Sequence, residues 1–342
     1  MGTIRIGWFV ATYGGGQGRD YPEHFVDYPA CRTPGYESIR DGVILCENLG
    51  FDSVWMADHL IFGRDGAILE CWTTLAAMAS LTNRIRLGSL TLCQSHRHPS
   101  VLAKMAATLD TISKGRLNFG IGAGWNKEEQ DAYGLKWDGS PAVRICRMEE
   151  VIEIAKKMWT EERPSYEGRF FTIKDAVCNP RPMQKPHPPI WIGGGGEKLM
   201  LRAVAKHADG WNWSGSVSDF EHKLNVLKHH CSEVRRDVDA IEVSWSGFVL
   251  MGSSPSELRK RLEWIRTITP GYPVSIQSAE GDPETVRVDS PIAALAGTPD
   301  MVIDRMQEYL DIGVRHFVLY FVDFPSLDGM QLFAREVMPS FK

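Results

Sequence analysis

The chain has 342 residues, 43% hydrophobic and 24% charged, with 38 Lys+Arg against 43 Asp+Glu for a net charge of -5. That apolar share supports a large core and excludes a mainly disordered chain, and the mild acidity argues against a nucleic-acid protein, which would show a basic face. With no run of about 18 apolar residues and no signal-peptide pattern in Met1 to Val10, a cytoplasmic protein with no membrane partner is expected.

Eight short β-rich runs recur along the chain, and most are separated by a helical pattern. The first is Ile4 to Val10. The second, Phe51 to Ala57, runs through Trp55-Met56-Ala57 into Asp58-His59. An acid followed by His at a strand end can supply a general acid or base, because imidazole titrates near neutral pH; a capping Asp beside a surface His is the plainer alternative.

The third run, Ile85 to Leu92, leads to His96-Arg97-His98. His-x-His with His59, His207 and Asp209 elsewhere could in principle ligate zinc, but Pro99 starts a helix at once and no other spacing supports a cage, so no metal is expected. The helix shows how the chain is punctuated. Pro99 suits a first turn, Val101, Leu102, Met105, Leu109 and Ile112 form one apolar face, and Gly115 stands just past the end.

The fourth run, Arg116 to Gly122, alternates Leu117, Phe119 and Ile121 with Asn118, Gly120 and Gly122. The greasy face should meet the helices. The bare face either leaves room for a ligand or permits close packing of another backbone. Because its spacing is GxGxG, with no acidic residue at the required distance, a dinucleotide fingerprint is not met.

The fifth run, Pro189 to Gly193, continues into Gly194-Gly195-Gly196-Glu197 and opens a helix with Lys198, Leu199, Leu201 and Val204. Consecutive glycines at such a turn let backbone N–H groups converge on an anion such as phosphate, although a turn needing several positive φ angles would also explain them. The sixth run, Ala208 to Trp213, closes with Trp211-Asn212-Trp213-Ser214, which could border a planar ligand or simply pack. Ile241 to Leu250 and Val314 to Tyr320 complete the set.

Strands alternating with helices predict βαβ units and a parallel sheet, and eight units predict a single-domain (β/α)8 TIM barrel spanning 1–342. Strand starts at 116 and 189, and at 241 and 314, are each about 73 residues apart, too long for one compact unit. An insertion at 141–188 is expected to hold a helix, Val143 to Trp159, and a hairpin around Tyr166 to Phe171. A second, Thr269 to Ala296, is rich in Pro, Gly, Ser and charge; it reads as a long loop and lid over the active face. Seven widely spaced Cys without a CxxC pair support neither a disulfide framework nor a zinc ribbon.

Taken together, these landmarks resemble the luciferase-like monooxygenase superfamily, and within it the deazaflavin branch that uses coenzyme F420. The resemblance rests on Trp55 to His59; on Arg97 to Lys104 with Thr108-Leu109-Asp110 and Ser113 to Arg116; on Gly120 to Asn126 with Glu129; and on Pro186 to Gly196. It implies a tricyclic ring over the strand C-termini with its phosphate tail toward Gly193, Gly194, Gly195 and Gly196. The other implied cofactor-binding residues are Trp55, Leu90, Thr91, His96, Gly122, Gly124, Trp125, Asn126, Trp213 and Ser214. Related enzymes often carry a strained, sometimes non-prolyl cis, peptide that would fall at Leu90-Thr91-Leu92. Asp58 and His59 match a catalytic pair, with His59 handling a proton and Asp58 orienting it. Where some deazaflavin members place a Glu as proton donor, this chain has Trp125, so the role would pass to His59, to Glu129, or to substrate or water. The implied activity is hydride transfer between F420 and a small organic substrate. The alternative is an FMN-dependent monooxygenase in which a separate reductase supplies FMNH2 for reaction with O2. A non-catalytic flavin-binding protein and a metal-dependent hydrolase are more distant options, and a homodimer is the general expectation.

Overall fold

Parallel strands that each feed a helix have few ways to bury both sheet faces, and here the sheet closes on itself as a (β/α)8 barrel. The computed structural model describes residues 3–13, 34–63, 66–268, 274–279, 282–289 and 294–341. In chain order the elements begin with β1 (Arg5–Val10), α1 (Tyr36–Asn48), β2 (Ser53–Met56), α2 (Cys71–Leu81), β3 (Arg86–Ser89), β4 (Leu92–Cys93) and α3 (Pro99–Ile112). Next come β5 (Leu117–Gly122), α4 (Lys127–Ala132), α5 (Pro141–Thr160), β6 (Tyr166–Glu167), β7 (Thr172–Ile173), β8 (Ile190–Gly193), α6 (Met200–His207), β9 (Gly210–Trp213) and α7 (Val217–Glu233). The chain ends with β10 (Glu242–Met251), α8 (Pro255–Ile268), β11 (Ser275–Ala279), β12 (Asp282–Asp289), β13 (Ala294–Gly297), α9 (Pro299–Asp311), β14 (His316–Phe321) and α10 (Asp328–Glu336).

The barrel strands are β1, β2, β3, β5, β8, β9, β10 and β14, each parallel to its neighbours, and β9 pairs with β10 to close the ring. All eight coincide with the runs read from the sequence. The alternation on β5 holds: Leu117, Phe119 and Ile121 are fully buried, and Phe119 meets Trp159 of α5 edge to face at 5.2 Å. The barrel interior is packed. Ser53 Oγ accepts from Trp55 Nε1 at 2.8 Å and lies 2.9 Å from His316 Nε2, while Trp55 meets Trp191 at 5.1 Å.

Three readings need correction. The third strand does not run unbroken to Leu92; β3 stops at Ser89, β4 starts at Leu92, and the Leu90–Thr91 peptide between them is cis. α5 packs between α3 and α6, so it is the barrel's own crossover helix. The extra chain there is the stretch carrying the small β6–β7 hairpin, whose turn amides at Arg169, Phe170 and Phe171 donate to the Glu150 carboxylate. The segment expected as a long loop contains the antiparallel β11–β12 hairpin. It follows α8, and β13 then pairs with the upper half of β10 before α9 begins. Residues 269–273, 280–281 and 290–293 of that segment lie outside the described residues.

Candidate active site

Among the described residues, two cavities open at the C-terminal ends of the strands. One, of about 280 Å³, is lined by Asp58, His59, Thr91, Gly122, Gly124, Trp125, Glu129, Gly193 and their neighbours. The other, of about 520 Å³, is bordered by β1, β9, β10 and β14 and includes Ser214. Leu90 lines both.

The glycines of β5 explain the break in the third strand. A Cβ on Gly120 would stand 1.8 Å from the Ser89 carbonyl oxygen, one on Gly122 2.4 Å from Thr91 Oγ1, and one on Gly124 2.7 Å from Cys93 Sγ. Gly193 meets Thr91 in the same way, at 2.8 Å. The bare face of the fourth strand is therefore filled largely by the protein's own chain from Ser89 to Cys93. Thr91 is thereby placed on the wall of the smaller cavity between Gly122 and Gly193, so close packing of the protein's own chain, by backbone at Gly120 and by side chains at Gly122, Gly124 and Gly193, accounts for these glycines.

His59 is held by three contacts. Its Nδ1 lies 3.0 and 3.1 Å from the two Glu129 oxygens, its ring stacks on Phe62 at 4.4 Å and 10°, and the Trp125 edge stands 5.3 Å away. Glu129 reaches the site from the first turn of α4, and its carboxylate also accepts from the Leu60 amide at 2.9 Å. Burial works to raise the proton affinity of Glu129, but the bonds from His59 and Leu60 outweigh it, so the group is held below the usual carboxylate range. With Nδ1 committed to a carboxylate, Nε2 is the ring atom left for chemistry.

Asp58 does not orient His59, contrary to the expectation from the pair. Its carboxylate takes both Arg97 guanidinium nitrogens, at 2.9 and 3.0 Å, and the Cys93 amide at 3.0 Å. His96 Nδ1 lies 3.3 Å from it. Burial alone would raise the Asp58 proton affinity; His96 and Arg97 more than reverse that, and Asp58 in turn raises the affinity of His96 against burial of the ring. Asp58 thus ties the ends of the second and third strands together through Arg97, which also reaches Glu70 at the start of α2. On its other side His96 Nε2 stands 3.8 Å from Glu129 and 2.8 Å from Gln130 Nε2. The Gln130 amide can serve either protonation state by rotating, its nitrogen donating to a neutral ring or its oxygen accepting from a charged one.

The remaining expected residues divide between wall and support. Leu90, Thr91, Gly122, Gly124, Trp125 and Gly193 line the smaller cavity. Trp55 does not: it is fully buried beneath Leu90, because strand alternation turns it into the barrel interior. His96 stands behind the wall. Trp213 packs over Gly195 and Gly215, where an added Cβ would fall 2.4 and 2.6 Å from its ring. Asn126 donates to the Ile61 carbonyl at 3.4 Å. His98 caps α3 by accepting from the Ser100 amide, and His207 pairs with Glu149, so neither joins His96.

The glycine turn begins with Gly194 at φ 125°, whose amide donates to Asn212 O. Helix α6 starts at Met200, so Lys198 and Leu199, read from the sequence as part of the helix, precede it, and Gly195, Gly196 and Glu197 lie in the turn. The amides of these three make no backbone hydrogen bond among the described residues. The Glu197 charge is offset by Lys223 and His222. Amides without a backbone partner at a turn beside a cavity fit the anionic tail of a phosphorylated cofactor. Sequence reasoning missed Phe62, which stacks on His59 only three residues away, and the aromatic lining of the larger cavity; it read Arg97 as fixing the loop or lining the site, and its partner Asp58, 39 residues away, shows only in three dimensions.

A (β/α)8 barrel with a polar cluster at its strand ends has the general form of a barrel enzyme. The luciferase-like monooxygenase family model matches residues 4–316, and the chain belongs to that family. It is similar to an F420-dependent glucose-6-phosphate dehydrogenase of Microbacterium testaceum, at 28% identity over 90% of this chain and 94% of the relative. Among solved structures it superposes on an F420-dependent secondary alcohol dehydrogenase (TM-score 0.76, 18% identity, 99% of each chain). It also superposes on a long-chain alkane monooxygenase (TM-score 0.79, 17% identity, 99% of this chain and 91% of the other).

Proposed function

We propose that this protein is an F420-dependent oxidoreductase that moves a hydride between C5 of the deazaflavin and a small organic substrate. The observation that carries the reading is the His59–Glu129 pair on the wall of a cavity that also borders the glycine-rich turn. Similarity over nearly the whole length of an F420-dependent relative supports the cofactor. Gly195, Gly196 and Glu197 would hold the phosphate through their amides, and Leu90 and Thr91 would carry the ring. When bound, the deazaflavin supplies a two-electron hydride donor or acceptor.

The chain's own residues manage the proton. In the oxidising direction His59 Nε2 takes the proton of a substrate hydroxyl as the carbon-bound hydrogen leaves as hydride; in the reducing direction it returns that proton to the carbonyl oxygen. Glu129 holds Nδ1–H and stabilises the imidazolium that forms, the part a buried carboxylate plays beside a catalytic histidine. Phe62 and Trp125 cover the ring and limit water at Nε2.

Titrating the apoprotein with F420 and with FMN in parallel tests the cofactor. Tighter binding of F420, followed by quenching of deazaflavin fluorescence, is expected; preferential tight binding of FMN would replace this reading with the flavin monooxygenase one.

A further inference from the structure

The 520 Å³ cavity is not used by the residues assigned above, apart from Leu90 and Ser214, yet its size falls in the range of small-molecule sites, roughly 300–1,000 Å³. Phe9, Leu90, Phe248, Val318 and Tyr320 give it an apolar and aromatic wall. Phe9 and Phe248 both pack on Tyr320, at 5.9 and 5.0 Å. Among the described residues, no Asp, Glu, Lys, Arg or His lines it.

The side chains of Asn212, Ser246 and Tyr13 in its wall are already partnered within the protein. Asn212 Nδ2 donates to Ser244 Oγ at 2.9 Å, and Asn212 Oδ1 accepts from Ser246 Oγ at 3.0 Å. The Tyr13 hydroxyl hydrogen-bonds with Tyr320, and burial, followed by that neighbour, keeps it neutral well beyond the ordinary tyrosine range. Groups paired in this way lose little when an apolar ligand displaces water from them. A phosphate would meet no cation, and a sugar would leave hydroxyls unpaired.

We infer that this cavity is the substrate chamber and that it takes a neutral, predominantly apolar alcohol or ketone in preference to a phosphorylated or polyhydroxylated one. The inference rests on the deazaflavin reading, since it places the substrate beside the cavity of His59 through their shared residue Leu90. Oxidation of such an alcohol breaks its C–H and O–H bonds: the hydride reduces the deazaflavin at C5, the proton passes to His59 Nε2, and the ketone is released.

The test compares 2-octanol and 2-octanone with glucose 6-phosphate, using wild type, Phe248→Ala and Tyr320→Phe. Phe248 is partly exposed, so its truncation spares the core. Expected are turnover of 2-octanol in preference to glucose 6-phosphate, and a KM for 2-octanol raised about tenfold in Phe248→Ala, with F420 affinity, read by fluorescence, unchanged within about twofold. Preference for glucose 6-phosphate overturns the proposal. So does a Phe248→Ala or Tyr320→Phe protein that loses F420 affinity and keeps its affinity for 2-octanone, since the cavity would then hold the cofactor. If F420 does not bind at all, the deazaflavin reading fails separately. The chamber is then judged by the thermal shift that 2-octanone produces in the apoprotein: a shift lost in Phe248→Ala sustains it, and no shift, or one unchanged in that variant, overturns it.

Discussion

His59 has one ring nitrogen against the Glu129 carboxylate and, under the proposed function, the other for the substrate proton. His59→Asn should lower kcat by about 10²- to 10⁴-fold, the usual worth of general acid–base catalysis, while F420 affinity changes little. Single-turnover rates beside a binding titration check this, and unchanged turnover would remove His59 from the chemistry. The second residue-scale test concerns His96. Its folded-state proton affinity is raised because Asp58 faces it, against the burial that opposes charge, with Glu129, Arg97 and Cys93 as its other ionisable neighbours. A raised value stabilises the fold fully below the unfolded histidine pKa of about 6.5, and that contribution fades as pH climbs from there through the folded value. The gap in thermal midpoint between wild type and His96→Gln should therefore narrow between about pH 6 and pH 9. A gap that widens over that range would contradict the Asp58–His96 interaction.

Among the elements, the third and fourth strands depend on each other most closely. Gly120 lets the Ser89 carbonyl pass where a side chain would stand, and Gly122 and Gly193 do the same for Thr91. Since the Ser89 atom is backbone, Gly120→Ala cannot be relieved by turning a side chain. It should destabilise the fold by at least the 1–3 kcal/mol or so typical of overpacking, measured by urea unfolding, and should displace Thr91 so that F420 binds more weakly. A stable Gly120→Ala protein with undiminished affinity would show that this contact does not shape the site. The glycines were visible in the sequence, but their partner was not. Residues 118–122 alone could not distinguish room for a ligand from room for another strand, because the answer lies some 30 residues away in chain order.

For the whole molecule, the two cavities together draw on all eight barrel strands or the loops that follow them, so a cofactor that binds there should stabilise the folded state as a unit. F420 at about 100 times its Kd should add about 2.7 kcal/mol, seen as a rise in the unfolding midpoint; glucose 6-phosphate without cofactor should leave that midpoint unchanged. No helix among the described residues is long and apolar enough to cross a membrane.

The sequence by itself determined the barrel, because strand and helix periodicities are local and eight alternating units leave few ways to bury both sheet faces. It also determined the chemical kit: an imidazole at a strand end, a glycine turn, and an acid one helical turn beyond the fourth strand. The partnerships were decided only in three dimensions. Asp58 and His59 are adjacent in the chain but serve different neighbours, Arg97 with His96 and Glu129 respectively, because successive residues leaving a strand point in different directions. Trp55 sank into the core and Trp125 remained at the rim for reasons of the same kind. Hydrogen bonding and packing depend on distance in space, and only closure of the barrel brings residues 59 and 129, or 13 and 320, within reach.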